Sequence, residues 1–129
     1  MRIIPIAVAL VVLAGQAQAN DVFGTWQSET NAEGKYLHIE VHACEANAAQ
    51  VCGTIVGAFG GADAGNIGKP IIWDMQADGT SAWDDGKIWK ADDDEVYDSE
   101  MALTGGNLEV SGCILFGQIC RSQTWTRVE

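Results

Sequence analysis

Short runs in which apolar and polar residues alternate are the feature that most restricts the fold of this chain. A period of two places successive side chains on opposite faces of a strand, so that one face can be buried. The clearest alternating runs cover residues 35–43, 95–103 and 108–113. Turn-forming pairs such as Asp78-Gly79 separate the runs, and no stretch after residue 19 sustains a helical period. About eight short strands at regular spacing predict an all-β sandwich or barrel.

The two ends of the main segment predict how such a sheet closes. Residues 24–26 are Gly-Thr-Trp, and the last run, residues 121–128, contains Trp125 and ends in Val128. We expect the last strand to pair with the first, which closes the sheet into a small antiparallel barrel. A barrel of about eight strands has an interior wide enough for packed side chains or for one small ligand.

The N-terminal segment has the composition of a secretory signal peptide. Arg2 gives the positive start, an apolar run covers residues 3–13, and Ala17-Gln18-Ala19 matches the small-residue cleavage pattern. We expect a signal-peptide helix over residues 1–19 and, after its removal, one exported domain over residues 20–129, periplasmic or secreted. The alternative, a retained anchor, is disfavoured because the apolar run is short for a membrane span.

Charge limits the partners of the exported domain. Arg2 is the one charged residue before residue 20, so the remaining chain carries 6 basic and 18 acidic residues, a net charge of −12. Nucleic acid and anionic membrane surfaces repel such an acidic protein. We therefore expect the domain to bind no nucleic acid and, once the signal peptide is removed, no membrane. We also expect a monomer.

All four cysteines lie in the exported part, where an even count indicates disulfides. A zinc site is disfavoured because paired zinc ligands usually lie about two to four residues apart, whereas seven and six residues separate these cysteines. Alternation places Cys44 and Cys113 on the polar faces of their strands, and Cys120 also points outward if Trp125 points inward. Since a bridge needs both sulfurs on one side, we predict the disulfides Cys44–Cys52 and Cys113–Cys120.

Two groups of residues resemble metal sites. His38, Glu40 and His42 share one strand face, but residues four apart on a strand are ~13 Å apart, too far for both imidazoles to bind one zinc ion. We interpret them as a solvated outer face and predict no resident metal. The second group matches a calcium-binding EF-hand loop only in part, which leaves open whether the acidic loops bind calcium. Its members are Asp74, Gln76, Asp78, Gly79 and Asp85.

No set of side chains suggests catalysis. The cysteines are predicted to be oxidised, and both histidines lie on one outer face, which leaves no evident base for a nucleophile. Glycoside hydrolysis needs a pair of carboxylates, and no particular pair stands out among the 18 acidic residues. We predict that the protein is not an enzyme and carries no cofactor.

Five tryptophans are many for a domain of this size, and they either fill the core or line an aromatic pocket. The inward faces predicted by alternation are mainly apolar, so a bound molecule would be small and apolar or amphipathic. Its polar anchor would be one of the inward polar side chains. The candidate ligand-binding residues are Trp73, Tyr97, Ser99, Met101, Gln123 and Trp125.

Two classes of function follow from this pattern. The first is a binding module that holds such a ligand inside the barrel. The second is a periplasmic protein-interaction module, an inhibitor-like or envelope-stress factor, that contacts an envelope protein through its loops or acidic surface. An open cavity would favour the first class, and a solid interior would favour the second.

Several motifs spread along the chain resemble those of a family of small secreted bacterial proteins catalogued as domain of unknown function 2147. The closing block, residues 123–128, is the most specific of them. The resemblance implies a lipocalin-like, calycin-type barrel and implies no enzyme activity. The motifs are Gly24-Thr25-Trp26, Cys52-Gly53, Gly68-Lys69-Pro70-Ile71, Asp85-Gly86-Lys87-Ile88-Trp89, Tyr97, and Gln123-Thr124-Trp125-Thr126-Arg127-Val128.

Gly24 and Trp26, taken with Arg127, are also similar to the lipocalin signature. In that signature the tryptophan lies at the closed end of the barrel and the arginine packs across it. The resemblance implies that Trp26 is buried and that the Arg127 guanidinium lies within about 6 Å of its ring, as in a cation–π contact.

Overall fold

The computed structural model describes residues 21–128, and the predicted signal peptide lies outside the described residues. Alternating, β-branched and aromatic segments form strands here because their apolar faces pack against one another. One turn of 3-10 helix, Ala64–Asn66, lies between the third and fourth strands. The strands are β1 Gly24–Gln27, β2 Tyr36–Ala43, β3 Val51–Phe59, β4 Pro70–Ala77, β5 Ala82–Lys90, β6 Glu95–Thr104, β7 Asn107–Ile114 and β8 Ile119–Arg127.

The strands form one closed antiparallel barrel in chain order. Each strand pairs with the next, and β8 returns to pair with β1, where Trp26 lies opposite Arg127 and Gln27 opposite Thr126. The predicted all-β class, the eight antiparallel strands and the closure between the first and last strands are confirmed.

One half of the barrel interior is filled by side chains. Ile39 and Val41, two residues apart on β2, are at most 1% exposed, as period-two alternation predicts. The inward positions predicted on β3, β6 and β7 are likewise buried at Ile55, Met101 and Leu108. Trp26, Trp83 and Met75 complete this solid half, where they supply large apolar area to the core.

Strict alternation fails on β4, and this changes the position of Trp73. Ile72 and Met75 are both fully buried although they are three residues apart, and Asp74 between them has a left-handed φ of 60°. Such a bulge re-aims the residues around it. Trp73 therefore lies opposite Lys87, whose ammonium pairs with Asp98 on the outer surface. The prediction that Trp73 faces the interior is wrong.

Both disulfides join the predicted cysteines. Cys113 and Cys120 are direct partners across the β7–β8 ladder, with Cα atoms 4.1 Å apart. Cys44 and Cys52 enclose the β2–β3 loop, with Cα atoms 5.0 Å apart. Disulfides are typical of oxidising, extracytoplasmic environments.

Trp26 and Arg127 close the filled end of the barrel. The Trp26 side chain is fully buried, and its Nε1 donates a hydrogen bond to the Val22 carbonyl at 2.9 Å. The Arg127 guanidinium carbon lies 4.2 Å from the centre of the Trp26 ring. Its Nη1 and Nη2 donate to the carbonyls of Phe23 and Asp21. The residue is exposed, yet these two hydrogen bonds hold its guanidinium against the segment that precedes β1.

Replacing Arg127 by alanine should lower the free energy of unfolding by about 1–2 kcal/mol. The variant loses the cation–π contact and two hydrogen bonds, all partly screened by solvent. Urea denaturation followed by tryptophan fluorescence measures the change. Thr126→Ala, which removes an exposed neighbour on β8, is the control. If the two variants were equally stable, Arg127 would not contribute to closure.

Candidate functional site

The half of the barrel opposite the Trp26–Arg127 closure is open and encloses a cavity of about 830 Å³, within the range of small-molecule sites. We call this cavity the cup. Its apolar floor consists of Leu37, Ile71, Ile88, Val110 and Trp125. Its polar wall consists of Tyr97, Arg121 and Gln123, and its mouth includes Asn31, Lys35, Asp63, Asp92, Asp93, Ile114 and Ile119.

Strand β8 contributes one side chain to each level of the cup. Trp125, Gln123 and Arg121 are spaced by two residues, so all three point inward, from a floor residue that is 1% exposed to an exposed arginine near the mouth. The Trp125 Nε1 donates to the Gln123 side-chain oxygen at 2.6 Å. This bond leaves the Gln123 amide nitrogen as a donor.

Gly112 provides space beside Arg121. The two residues are partners in the β7–β8 ladder, and Gly112 lines the cup. A Cβ built at this position would meet only Ile88 at 3.5 Å and Tyr97 at 3.7 Å, which are ordinary van der Waals distances. The missing side chain therefore widens the cup next to the guanidinium.

On the β5–β6 side of the cup, hydrogen bonds join aromatic side chains to the loop between these two strands. The Tyr97 hydroxyl donates to Asp93 at 2.7 Å, and the Trp89 Nε1 donates to Asp94 at 2.9 Å. The hydrogen bond to Asp93 raises the pKa of Tyr97, and burial adds to the increase, while the positive charge of Arg121 opposes it. Tyr97 is thus a neutral donor committed to the protein.

Several carboxylates around the cup have protein partners, whereas Arg121 makes no side-chain hydrogen bond or ion pair with any residue in the range 21–128. The Glu29 carboxylate accepts from the Thr124 amide at 2.9 Å, and Asp63 accepts from the Gly65 amide at 2.8 Å. Within residues 21–128 the one ion pair joins Lys87 to Asp98, outside the cup. Among the described residues, the Arg121 guanidinium and the Gln123 amide nitrogen have no acceptor, and both residues line the cup. They suit a group that accepts hydrogen bonds or carries negative charge.

Three of the six candidate ligand-binding residues, Tyr97, Gln123 and Trp125, line the cup. Ser99 and Met101 do not, because they lie deeper along β6, and alternation predicts the face of a residue but not its depth in the barrel. Ser99 donates its hydroxyl hydrogen to the Ser111 carbonyl at 2.7 Å, so its polar group is already used. Trp73 lies on the outer surface. Three of the six candidates, Trp73, Ser99 and Met101, therefore do not line the cup.

The sequence argument missed Arg121, Gly112, Ile71 and Ile88. Arg121 could have been found, since it lies four residues before the inward Trp125 on the same strand. The other three required the register between strands. Ile71 lies just before the β4 bulge, where alternation does not hold. Gly112 contributes to the cup because it has no side chain to fill the space.

The residues that resembled metal sites have other partners in the structure. His42 Nε2 lies 2.8 Å from the Thr54 hydroxyl, and His38 Nε2 lies 3.0 Å from the Gln27 side-chain oxygen. Asp74 and Asp85 of the partial calcium motif belong to strands β4 and β5 and not to a loop. Residues 21–128 contain no group of three or more His, Cys, Asp or Glu side chains arranged to hold a metal ion. In the same range, no helix has the length and apolarity needed to cross a membrane.

A closed antiparallel barrel with an open apolar cup at one end and a tryptophan–arginine closure at the other is a lipocalin-like fold. The chain belongs to the family described as uncharacterized protein conserved in bacteria, domain of unknown function 2147, whose sequence model matches residues 24–127. Among solved structures it is similar to protein HP1028 from the human pathogen Helicobacter pylori, described as belonging to the lipocalin family. The sequence identity is 14% and the TM-score 0.68, over 84% of this chain and 83% of that one. No curated protein matches the sequence.

Proposed function

We propose that this is an exported binding protein that holds a small amphipathic molecule in the cup. The observation that carries the proposal is the cup itself, about 830 Å³ in volume, with an apolar floor below the donor groups of Arg121 and Gln123. The ligand's apolar part lies against Trp125 and Val110, and its head group, a carboxylate or a similar acceptor, lies beside Arg121 and Gln123. The two disulfides support an oxidising destination, in keeping with export.

The open cup favours a binding module over an interaction module with a solid core, because a solid core would leave no cavity of this size. The donors in the cup are suited to orient a ligand.

Dodecanoate and dodecanol, which share an alkyl chain and differ in head group, test the proposal. Both should shift the tryptophan emission, since Trp125 forms part of the floor, and both should raise the melting temperature as their concentration rises. Dodecanoate should bind more tightly because Arg121 can form a charge-assisted hydrogen bond with its carboxylate. The absence of any shift with either compound would reject ligand binding in the cup.

Replacing Arg121 by glutamine should weaken dodecanoate binding by about 10- to 100-fold and leave dodecanol binding unchanged. The factor corresponds to the loss of a charged hydrogen bond, about 1.5–3 kcal/mol. Lys87→Gln removes the same charge on the outer surface and should change neither affinity. Equal effects of Arg121→Gln on the acid and the alcohol would place the head group elsewhere.

A further inference from the structure

The loop between β7 and β8 presents large apolar side chains to solvent at the mouth of the cup. Phe116 is 99% exposed and Leu115 58%, and Ile114 and Ile119 on either side are about half exposed. We call these four residues the rim hairpin. Most exposed apolar residues of soluble proteins occur singly, and contiguous ones mark an interaction site.

The backbone of the rim hairpin is unfavourable for the residues that it carries. Leu115 and Phe116 have φ angles of 54° and 56°, a left-handed conformation in which residues with a Cβ are strained. Tight hairpin turns normally place Asn or Gly at such positions. The Cys113–Cys120 disulfide joins the two strands just below the tip and holds it together. Turn formation alone therefore does not account for a leucine and a phenylalanine at this position.

The apolar surface of the hairpin is continuous with the interior of the cup. Ile114 and Ile119 line the mouth of the cup and also flank the exposed Leu115 and Phe116. An apolar path thus runs from the floor, over the rim, to the tip at Phe116.

Size and charge indicate what the rim hairpin binds. Its four side chains form a convex tip. The surface area of this tip is far smaller than the roughly 800 Å² per partner that a stable protein interface buries. A bilayer, in contrast, accepts inserted apolar side chains of any shape. The cup lining contains more carboxylates than cations: Glu29, Asp63, Asp92 and Asp93 against Lys35, Lys90 and Arg121. Together with the acidic charge of the whole domain, this balance repels anionic head groups.

We infer that the rim hairpin inserts into the surface of an electrically neutral phospholipid bilayer and seats the mouth of the cup against it. The expectation that no membrane is bound came from net charge, which opposes anionic lipids and not zwitterionic ones. Seated in this way, the cup can exchange an apolar molecule with the bilayer without passing it through water. This exchange rests on the proposed function, whereas the insertion itself does not.

Flotation of the ligand-free protein with phosphatidylcholine vesicles tests the insertion. The double variant Leu115→Ser, Phe116→Ser should reduce the bound fraction per unit lipid by at least about tenfold, since two large apolar side chains no longer leave water. The control is Val56→Ser, Val96→Ser, which removes two exposed apolar side chains from the barrel wall and should bind like the wild type. Circular dichroism verifies that both variants fold.

Lipid composition and salt distinguish insertion from the alternatives. Vesicles containing phosphatidylglycerol should bind less protein, and added salt should not release it from phosphatidylcholine. If the wild type does not float with phosphatidylcholine, or if anionic lipid increases binding, the inference is overturned and the hairpin must meet a protein partner. A variant with a blocked cup, Gly112→Phe, should float like the wild type, so that failure of ligand binding and failure of membrane binding can be told apart.

Discussion

Gly112→Phe should weaken the binding of dodecanoate by about 10- to 100-fold while the barrel stays folded. A Cβ at this position makes only ordinary contacts with Ile88 and Tyr97, so the side chain can extend into the cup without moving the backbone. The phenyl ring then occupies space beside Arg121 that the ligand's head group needs. Forcing a ligand and a large side chain into one space costs about 1–3 kcal/mol.

Gly112→Ala is the matched control for this prediction. A methyl group leaves most of the cup free, so the affinity should stay close to that of the wild type. Stability should rise by about 0.5–1 kcal/mol, since alanine is favoured over glycine inside a strand. Calorimetric titration measures the affinities, and thermal unfolding measures the stabilities. Unchanged binding by a folded Gly112→Phe variant would show that the ligand does not occupy the cup.

Gly60→Ala should lower the free energy of unfolding by about 3–4 kcal/mol, more than Arg127→Ala does. Gly60 lies in the β3–β4 loop with a left-handed φ of 69°, and a Cβ there would lie 2.0 Å from the backbone oxygen of Gly34. A backbone carbonyl cannot rotate away like a flexible side chain, so the two loops would have to separate. For a domain of this size the loss corresponds to a decrease in melting temperature of about 10–20 °C.

Gly34→Ala separates the clash from the conformational cost. Gly34 also has a left-handed φ, 86°, but a Cβ there meets nothing within 4 Å. Gly34→Ala should therefore lower the free energy of unfolding by only about 1–2 kcal/mol, the cost of placing a residue with a Cβ in the left-handed conformation. Equal losses at the two positions, measured by urea denaturation, would mean that the loops do not touch at Gly60.

Much of this architecture is encoded locally. Period-two alternation and the turn residues between the runs predicted the strands and their buried faces. The matching segments at the two ends, residues 24–26 and 121–128, predicted the closure of β8 on β1. Face parity predicted both disulfides, because a bridge requires only that two cysteines lie on the same side of neighbouring strands. The inward direction of Tyr97, Gln123 and Trp125 followed from the same alternation.

Which residues line the cup, in contrast, depends on how far along the barrel axis each side chain lies. Alternation within one strand does not give this position. Register between strands brings Gly112 beside Arg121 and leaves Ser99 and Met101 below the cavity. The β4 bulge at Asp74 reverses the side on which Trp73 lies. Phe116 stays in solvent because no element within residues 21–128 covers the β7–β8 tip. These features arise from contacts between residues distant in sequence, and so only the tertiary structure decides them.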